Sequence, residues 1–263
     1  MNDPIFAKTR FDYENPENGY GSYHDYWRLV KYSGFPTCYI DEIDPASDNV
    51  YIFSPRNGEV GDGWPGARAR IIHWNLEQYG YEPLAGVAET WVSDARLAKE
   101  IEARYVLMGS HESLRYPGDT ERCEHYHVAM LAYMTPRREA VASELTARGV
   151  KIIPNSWYKD RHIALSNTSA MLHVHQNDNI RYVAPQRFAL AAAYSLPLIT
   201  ETLDDWGAFT YSNIMAAHRD YITDFVVKWT MRNEARILAD YGCNLYHFLC
   251  KYHTFRKGVE AAL

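Results

Sequence analysis

Two sets of arginines fall where a predicted strand gives way to a helix. Arg137 and Arg138 follow Thr135-Pro136, a pair typical of a helix start, and Arg187 follows Pro185 in the same way. A cation at a helix N-terminus opposes the helix dipole by roughly 0.3–1 kcal/mol. A bound anion would compensate, because free backbone N–H groups and guanidinium groups would hold it together, and a diphosphate is the natural candidate. The alternative is that these side chains point into solvent.

The N-terminal half offers candidates for proton transfer. His73, Asn75 and Glu77 alternate along a predicted strand and its end, so they could share one face. A histidine or carboxylate there could accept a proton from a hydroxyl group, although a structural role for His73 is an equal alternative. Other candidates in this half are a close-approach turn and a histidine at the predicted hinge, namely Gly19, Gly21, Ser22 and His111.

Two histidine pairs could each ligate a metal ion. His125 and His127 would share a face of a strand, as would His173 and His175. Nearby in sequence, only Cys123 and Glu124 could add ligands, so we expect no dedicated metal site. The four cysteines show no CxxC spacing, and we expect reduced thiols in a cytoplasmic protein.

Strands alternating with helices are expected to position these residues. The stretch from residue 127 to 200 alternates most regularly, with Gly149 at a predicted helix end, and this pattern predicts crossover units and a parallel sheet. From Leu203 onward the pattern is helical, and Tyr221, Phe225 and Trp229 have the spacing of a buried helix face. We predict an α/β fold of two Rossmann-like halves, residues 1–115 and 116–263, with a C-terminal helical segment.

Composition limits the classes of partner. The 263 residues are 47% hydrophobic and 23% charged, which is typical of a globular protein. The net charge of −6 disfavours a broad nucleic-acid surface, although a small basic pocket remains compatible with it. No apolar run is long enough to span a membrane, and the first residues lack the apolar segment of a signal peptide.

The region from about residue 125 to 205 resembles the donor domain of group 1 glycosyltransferases, most nearly the branch with the CgeB-like C-terminal domain. One matching stretch is VAMLAYMTPRREAVASELTARGVKIIPN, in which Arg138, with Arg137 beside it, occupies the place of the basic residue that holds the donor diphosphate. A second is SNTSAMLHVHQNDNIRYVAPQRFALAAAYSLPLITE, matched at His175, Pro185, Arg187, Pro197 and Thr200.

This stretch departs from the family pattern at two positions. Leu190 stands where the family has a ribose-holding glutamate, and Ser195 replaces the usual glycine. Asp41, Glu42 and Asp44 imitate the Asp-x-Asp metal motif of other glycosyltransferases, but they precede Pro45 in a turn-like context that favours solvated acids.

The resemblance implies a compact GT-B-like fold and transfer of a sugar from a nucleotide-diphosphate sugar bound between the halves, without a metal or another cofactor. Arg138 and Arg187 would stabilise the leaving diphosphate, and His73 or Glu77 would act on an acceptor of unknown identity. The implied donor-side residues are Thr135, Arg137, Arg138, Asn155, His175, Asn177, the pair Tyr182-Val183, Pro185 and Arg187. Two alternatives remain: an inactive nucleotide- or partner-binding protein on the same scaffold, favoured by Leu190, and a nucleotide-sugar epimerase.

Overall fold

The chain forms two compact units. The computed structural model describes residues 3–9, 21–54, 62–76, 84–115, 125–153, 158–176, 183–203, 205–210, 212–231 and 235–263, with the backbone alone at 21–24, 158–159 and 235. The first unit comprises Met1–Met108 and Phe255–Leu263, and the second comprises Gly109–Thr254. The sequence-based division at residue 115 therefore differs from the structural one, and Phe255–Leu263 groups with the N-terminal residues.

An all-parallel sheet forms the first unit. Its described strands and helices are β1 (Ile5–Lys8), α1 (Gly21–Tyr32), β2 (Thr37–Tyr39), β3 (Val50–Phe53), β4 (Arg70–Asn75), β5 (Glu89–Val92), α2 (Ala95–Glu100) and β6 (Arg104–Tyr105). The strand order is β2-β1-β3-β4-β5-β6. Every residue of β4 from Ile71 onward is buried, as expected for a parallel strand covered on both faces.

Aromatic packing holds the last helix, Phe255–Ala262, in this unit. The Phe255 ring is fully buried and lies 5.5 Å from Trp74 and 5.8 Å from both Phe6 and Tyr26, measured between ring centroids. Burying a side chain of this kind contributes roughly 1.5–3 kcal/mol, which explains why the helix packs here.

A second all-parallel sheet forms the other unit. Its described elements are β7 (Tyr126–Ala129), α3 (Pro136–Ala147), β8 (Ile152–Ile153), α4 (Tyr158–Ser166), β9 (Thr168–His173), α5 (Pro185–Ala193), β10 (Leu198–Glu201), β11 (Met215–Ala217), α6 (Ile222–Met231), α7 (Ala235–Tyr246) and a π-helical segment, His247–Tyr252. The strand order is β11-β10-β9-β7-β8. Apolar residues of β7, β9, β10 and the flanking helices, among them Val128, Leu145, Leu172, Ile199 and Val226, form its core.

The alternation predicted from the sequence is confirmed, with one error in the C-terminal part. The helical pattern predicted after Leu203 misses β11, which pairs in parallel with β10. Tyr221, predicted to be part of a buried face, is 64% exposed, because it ends a short 3-10 turn before α6 begins. Phe225 and Trp229 do pack against the core.

None of the described helices combines the length and the apolar composition that a membrane span requires.

Candidate functional site

The strand order of the second unit contains a reversal point. From β7 the chain crosses to β8 on one side and then to β9 on the other side of β7, so the direction of winding reverses between β7 and β9. In open α/β sheets, ligands bind outside the carboxyl ends of the strands at such a reversal point. The segments that leave β7 and β9 carry the arginines and histidines predicted as site residues.

Arg138 joins these two segments. Thr135 caps α3 by accepting a hydrogen bond from the backbone N–H of Arg138 at 3.4 Å, and its hydroxyl donates to the Gln176 carbonyl at 3.3 Å. The Arg138 guanidinium donates from Nε to the Val174 carbonyl (2.8 Å) and from Nη1 to the Tyr133 carbonyl (2.7 Å). Arg138 is only 4% exposed, so its charge is buried beside the N-terminus of α3. Its two hydrogen bonds connect the segment that follows β7 with the segment that follows β9.

Glu201, at the end of β10, is a buried carboxylate that the sequence reasoning missed. It is 1% exposed, forms an ion pair with Arg137 and accepts a hydrogen bond from the backbone N–H of His175 at 2.6 Å. Burial raises the pKa of Glu201, although the His175 N–H and the Arg137 charge act in the opposite direction. The sequence signal that could have indicated this site is a glutamate at the end of a mostly apolar strand, Leu198-Ile199-Thr200-Glu201.

Arg187, in the first turn of α5, contacts the histidine pair. Its guanidinium donates to Nδ1 of His173, and the rings of His173 and His175 lie 5.5 Å apart. An arginine can only donate, so Nδ1 of His173 must be the acceptor, which places the ring proton of the neutral imidazole on Nε2. Both histidines are buried, at 3% exposure each.

The assembled cluster is rich in arginine. Three guanidinium groups (Arg137, Arg138 and Arg187) and one carboxylate, Glu201, belong to this cluster of described residues. Arg137 and Arg187 are partly exposed, whereas Arg138 is buried. The N-termini of α3 and α5 add partial positive charge to the same region. The arrangement can therefore bind a multiply charged anion.

The remaining donor-side candidates divide into two groups. Val183 and Pro185 are buried, and Pro185 takes the first position of α5. Asn155, Asn177 and Tyr182 lie outside the described residues. Leu190 belongs to α5, and its side chain is buried at 2% exposure, as expected for an apolar residue.

His73 lies in the interior of the first sheet. It is 8% exposed and stacks on Phe53 with 5.1 Å between ring centroids. Burial lowers the pKa of His73 to about 4, so the imidazole is neutral at pH 7. Asn75, on the same strand, is also buried. Glu77 lies outside the described residues.

Three other candidates predicted for the N-terminal half, Gly21, Ser22 and His111, lie among the described residues. His111, predicted to lie at the hinge, belongs to the second unit, which starts at Gly109. Its Nδ1 accepts a hydrogen bond from the backbone N–H of Ser113 (3.1 Å) and so caps a 3-10 turn. Helix α1 already begins at Gly21, so Ser22 lies inside its first turn, while Gly19 is outside the described residues.

Within the described ranges, no three or more histidine, cysteine, aspartate or glutamate side chains group in a way that could hold a metal ion. His125 hydrogen-bonds Ser169 through Nε2 (2.8 Å), and Nδ1 of His127 accepts from the Lys151 backbone N–H (2.9 Å). In the Asp-x-Asp-like segment, Glu42 accepts from the Tyr39 N–H at 2.8 Å and so caps a turn.

Several solved structures similar to this chain are glycosyltransferases. AviGT4, a glycosyltransferase involved in avilamycin A biosynthesis, superimposes with a TM-score of 0.64 at 12% identity over 99% of this chain and 96% of its own. The fold is that of the GT-B glycosyltransferases. TarM matches 89% of this chain with a TM-score of 0.53 at 9% identity, and an α1,3-fucosyltransferase matches 98% with a TM-score of 0.50 at 11% identity.

The lengths of these relatives differ from that of this chain. The chain spans 56% of TarM and 89% of the fucosyltransferase. No protein-family model matches the chain, and no curated protein is significantly similar to it in sequence. Identities this low establish the fold alone, and the likeness to the CgeB-like branch stays a prediction.

Proposed function

We propose that this protein is a glycosyltransferase whose second unit binds a nucleotide-diphosphate sugar. The observation that carries the proposal is the positively charged cluster of Arg137, Arg138 and Arg187 at the reversal point of a GT-B-type sheet. A diphosphate matches its charge, and the similar structures are glycosyltransferases.

The arginines have different roles in this proposal. As the bond between sugar and diphosphate breaks, negative charge develops on the leaving group, and preorganised donors stabilise it. Arg137 and Arg187 are partly exposed and contact the phosphates, whereas buried Arg138 acts through its charge and by holding the loops. We expect the sugar on the side of Glu201 and His175, which are 1% and 3% exposed. We expect no metal requirement, because the cluster itself provides the positive charge.

The acceptor is unidentified. Of the two residues proposed as general base, His73 and Glu77, the properties of His73 argue against it. A pKa of about 4 makes His73 a weak base at neutral pH, and Phe53 covers one face of its ring. We therefore prefer Glu77 for this role. Replacement of Glu77 by Gln is expected to lower sugar transfer while leaving donor binding unchanged.

A catalytically inactive nucleotide-binding protein is the second candidate. The observation in its favour is Leu190, a buried apolar residue where the resembling family has a ribose-binding glutamate. The difference between the two candidates is turnover, since a binder stabilises its folded state with ligand but consumes nothing.

A panel of nucleotide-diphosphate sugars distinguishes the candidates. Each sugar is incubated with the protein, release of nucleoside diphosphate is measured, and the thermal midpoint is recorded in parallel. The enzyme releases nucleoside diphosphate slowly even without an acceptor, whereas the binder only shifts the midpoint. The proposal is refuted if no member of the panel produces release of nucleoside diphosphate and none shifts the thermal midpoint.

A further inference from the structure

Tyr133 is an exposed aromatic residue in an otherwise anchored loop. Its side chain is 77% exposed, while Ala132 and Thr135 are buried and Met134 packs against the core of the second unit. The loop that joins β7 to α3 is therefore held on both sides of this residue. A single exposed ring is common on protein surfaces, so only its position relative to the arginine cluster can indicate a function.

The backbone of Tyr133 is tied directly to the positively charged cluster. Nη1 of Arg138 donates to the Tyr133 carbonyl at 2.7 Å, and the same guanidinium binds Val174 after β9. Tyr133 also lies only three residues before Pro136, the first residue of α3. The ring is thus held next to the helix N-terminus at which the proposed diphosphate binds.

The histidines and the carboxylate of the cluster lie at β9 and β10, whereas Tyr133 follows β7. His173 ends β9 and His175 follows it, while Glu201 ends β10, two strands away from β7 in the sheet. Strand spacing of about 4.8 Å separates β7 from β10 by roughly 10 Å. A sugar needs hydrogen-bond partners for its hydroxyl groups, so it is expected on the β9–β10 side. A flat, weakly hydrated ring is expected on the β7 side, at Tyr133.

We propose that the Tyr133 ring stacks on the base of the bound nucleotide. The inference rests on the proposed function and adds a residue of the nucleoside subsite to it. Every nucleobase has a π-face, so stacking strengthens binding with little preference among bases. The contact compensates in part for Leu190, which offers no hydrogen bond to the ribose.

Calorimetric titration of four proteins tests the stacking: wild type, Tyr133→Ala, Tyr133→Phe and Tyr252→Ala. Tyr252 is a matched control, because it is 68% exposed and lies in the same unit. Each protein is titrated with UDP, GDP, ADP and inorganic pyrophosphate. We expect Tyr133→Ala to weaken the tightest-binding nucleoside diphosphate roughly five- to hundredfold, with pyrophosphate affinity unchanged. Tyr133→Phe and Tyr252→Ala keep wild-type affinity for both.

The outcomes separate this inference from the proposed function. If wild type binds a nucleoside diphosphate and Tyr133→Ala binds it equally well, stacking is wrong while the proposed function stands. If Tyr133→Ala loses pyrophosphate as strongly as the nucleotide, the residue supports the anion site and stacking is again wrong. If wild type binds neither pyrophosphate nor any of the nucleotides, both proposals fail. Because the ring is exposed, we expect each variant to keep the wild-type thermal midpoint.

Discussion

Replacing Arg138 by methionine should destabilise the second unit strongly. The guanidinium donates two charge-assisted hydrogen bonds, to the carbonyls of Val174 and Tyr133, at a residue that is 4% exposed. Hydrogen bonds involving a charged group contribute about 1.5–3 kcal/mol each, so the loss is expected to be about 3–6 kcal/mol. That is a large part of the roughly 5–15 kcal/mol that stabilises a typical protein.

Urea-dependent hydrogen exchange, read by mass spectrometry on peptides from β7 and β9, measures this loss in the second unit alone. Arg148→Met is the matched control, because Arg148 ends the same helix region and makes partly exposed ion pairs with Glu144 and Asp224. Its loss is expected to be below about 1 kcal/mol. If Arg138→Met is destabilised no more than the control, the guanidinium does not hold the two loops.

Three further changes test the packing. Because the pKa of His73 is lowered from 6.5 to about 4, unfolding binds a proton in this pH range, so stability is lost as pH falls from 6.5 to 4. The loss is about 3 kcal/mol, and His73→Phe should flatten this pH dependence of urea unfolding, whereas exposed His218→Gln should not. Ser195→Gly should raise the unfolding free energy by about 1 kcal/mol, since Ser195 has a φ of 53°. Gly242→Ala should lower the thermal midpoint, because a Cβ atom would lie 2.0 Å from the Ser195 carbonyl oxygen; an unchanged midpoint would contradict that contact.

The fold could be predicted where local chemistry and periodicity agreed. Thr135 caps α3 with Pro136 at its first position, as predicted, and Gly149 has the positive φ (84°) of a helix end. β11 was missed, because a three-residue apolar strand, Met215–Ala217, has no periodicity that distinguishes it from a helix. The packing of the last helix on the first unit depends on contacts with Phe6 and Trp74, far away in sequence.

The candidate site could be predicted only in outline. The rule that loops meet at the carboxyl ends of parallel strands was enough to bring Arg137, Arg138 and Arg187 into one region. Which guanidinium is buried depends on the backbone carbonyls it meets, and sequence carries no signal for that. Glu201 was missed because a carboxylate at a strand end is usually solvated, and its burial depends on the Arg137 partner.

Titration of pyrophosphate and nucleoside diphosphates into Arg187→Gln tests the central claim most directly. Arg187 is partly exposed, so we expect the variant to fold, and its affinity for both ligands should fall about tenfold to hundredfold relative to wild type. Arg148→Gln, which removes the same charge at the far end of α3, should bind like wild type. Equal affinities in wild type and Arg187→Gln would contradict the assignment of this cluster as the diphosphate site.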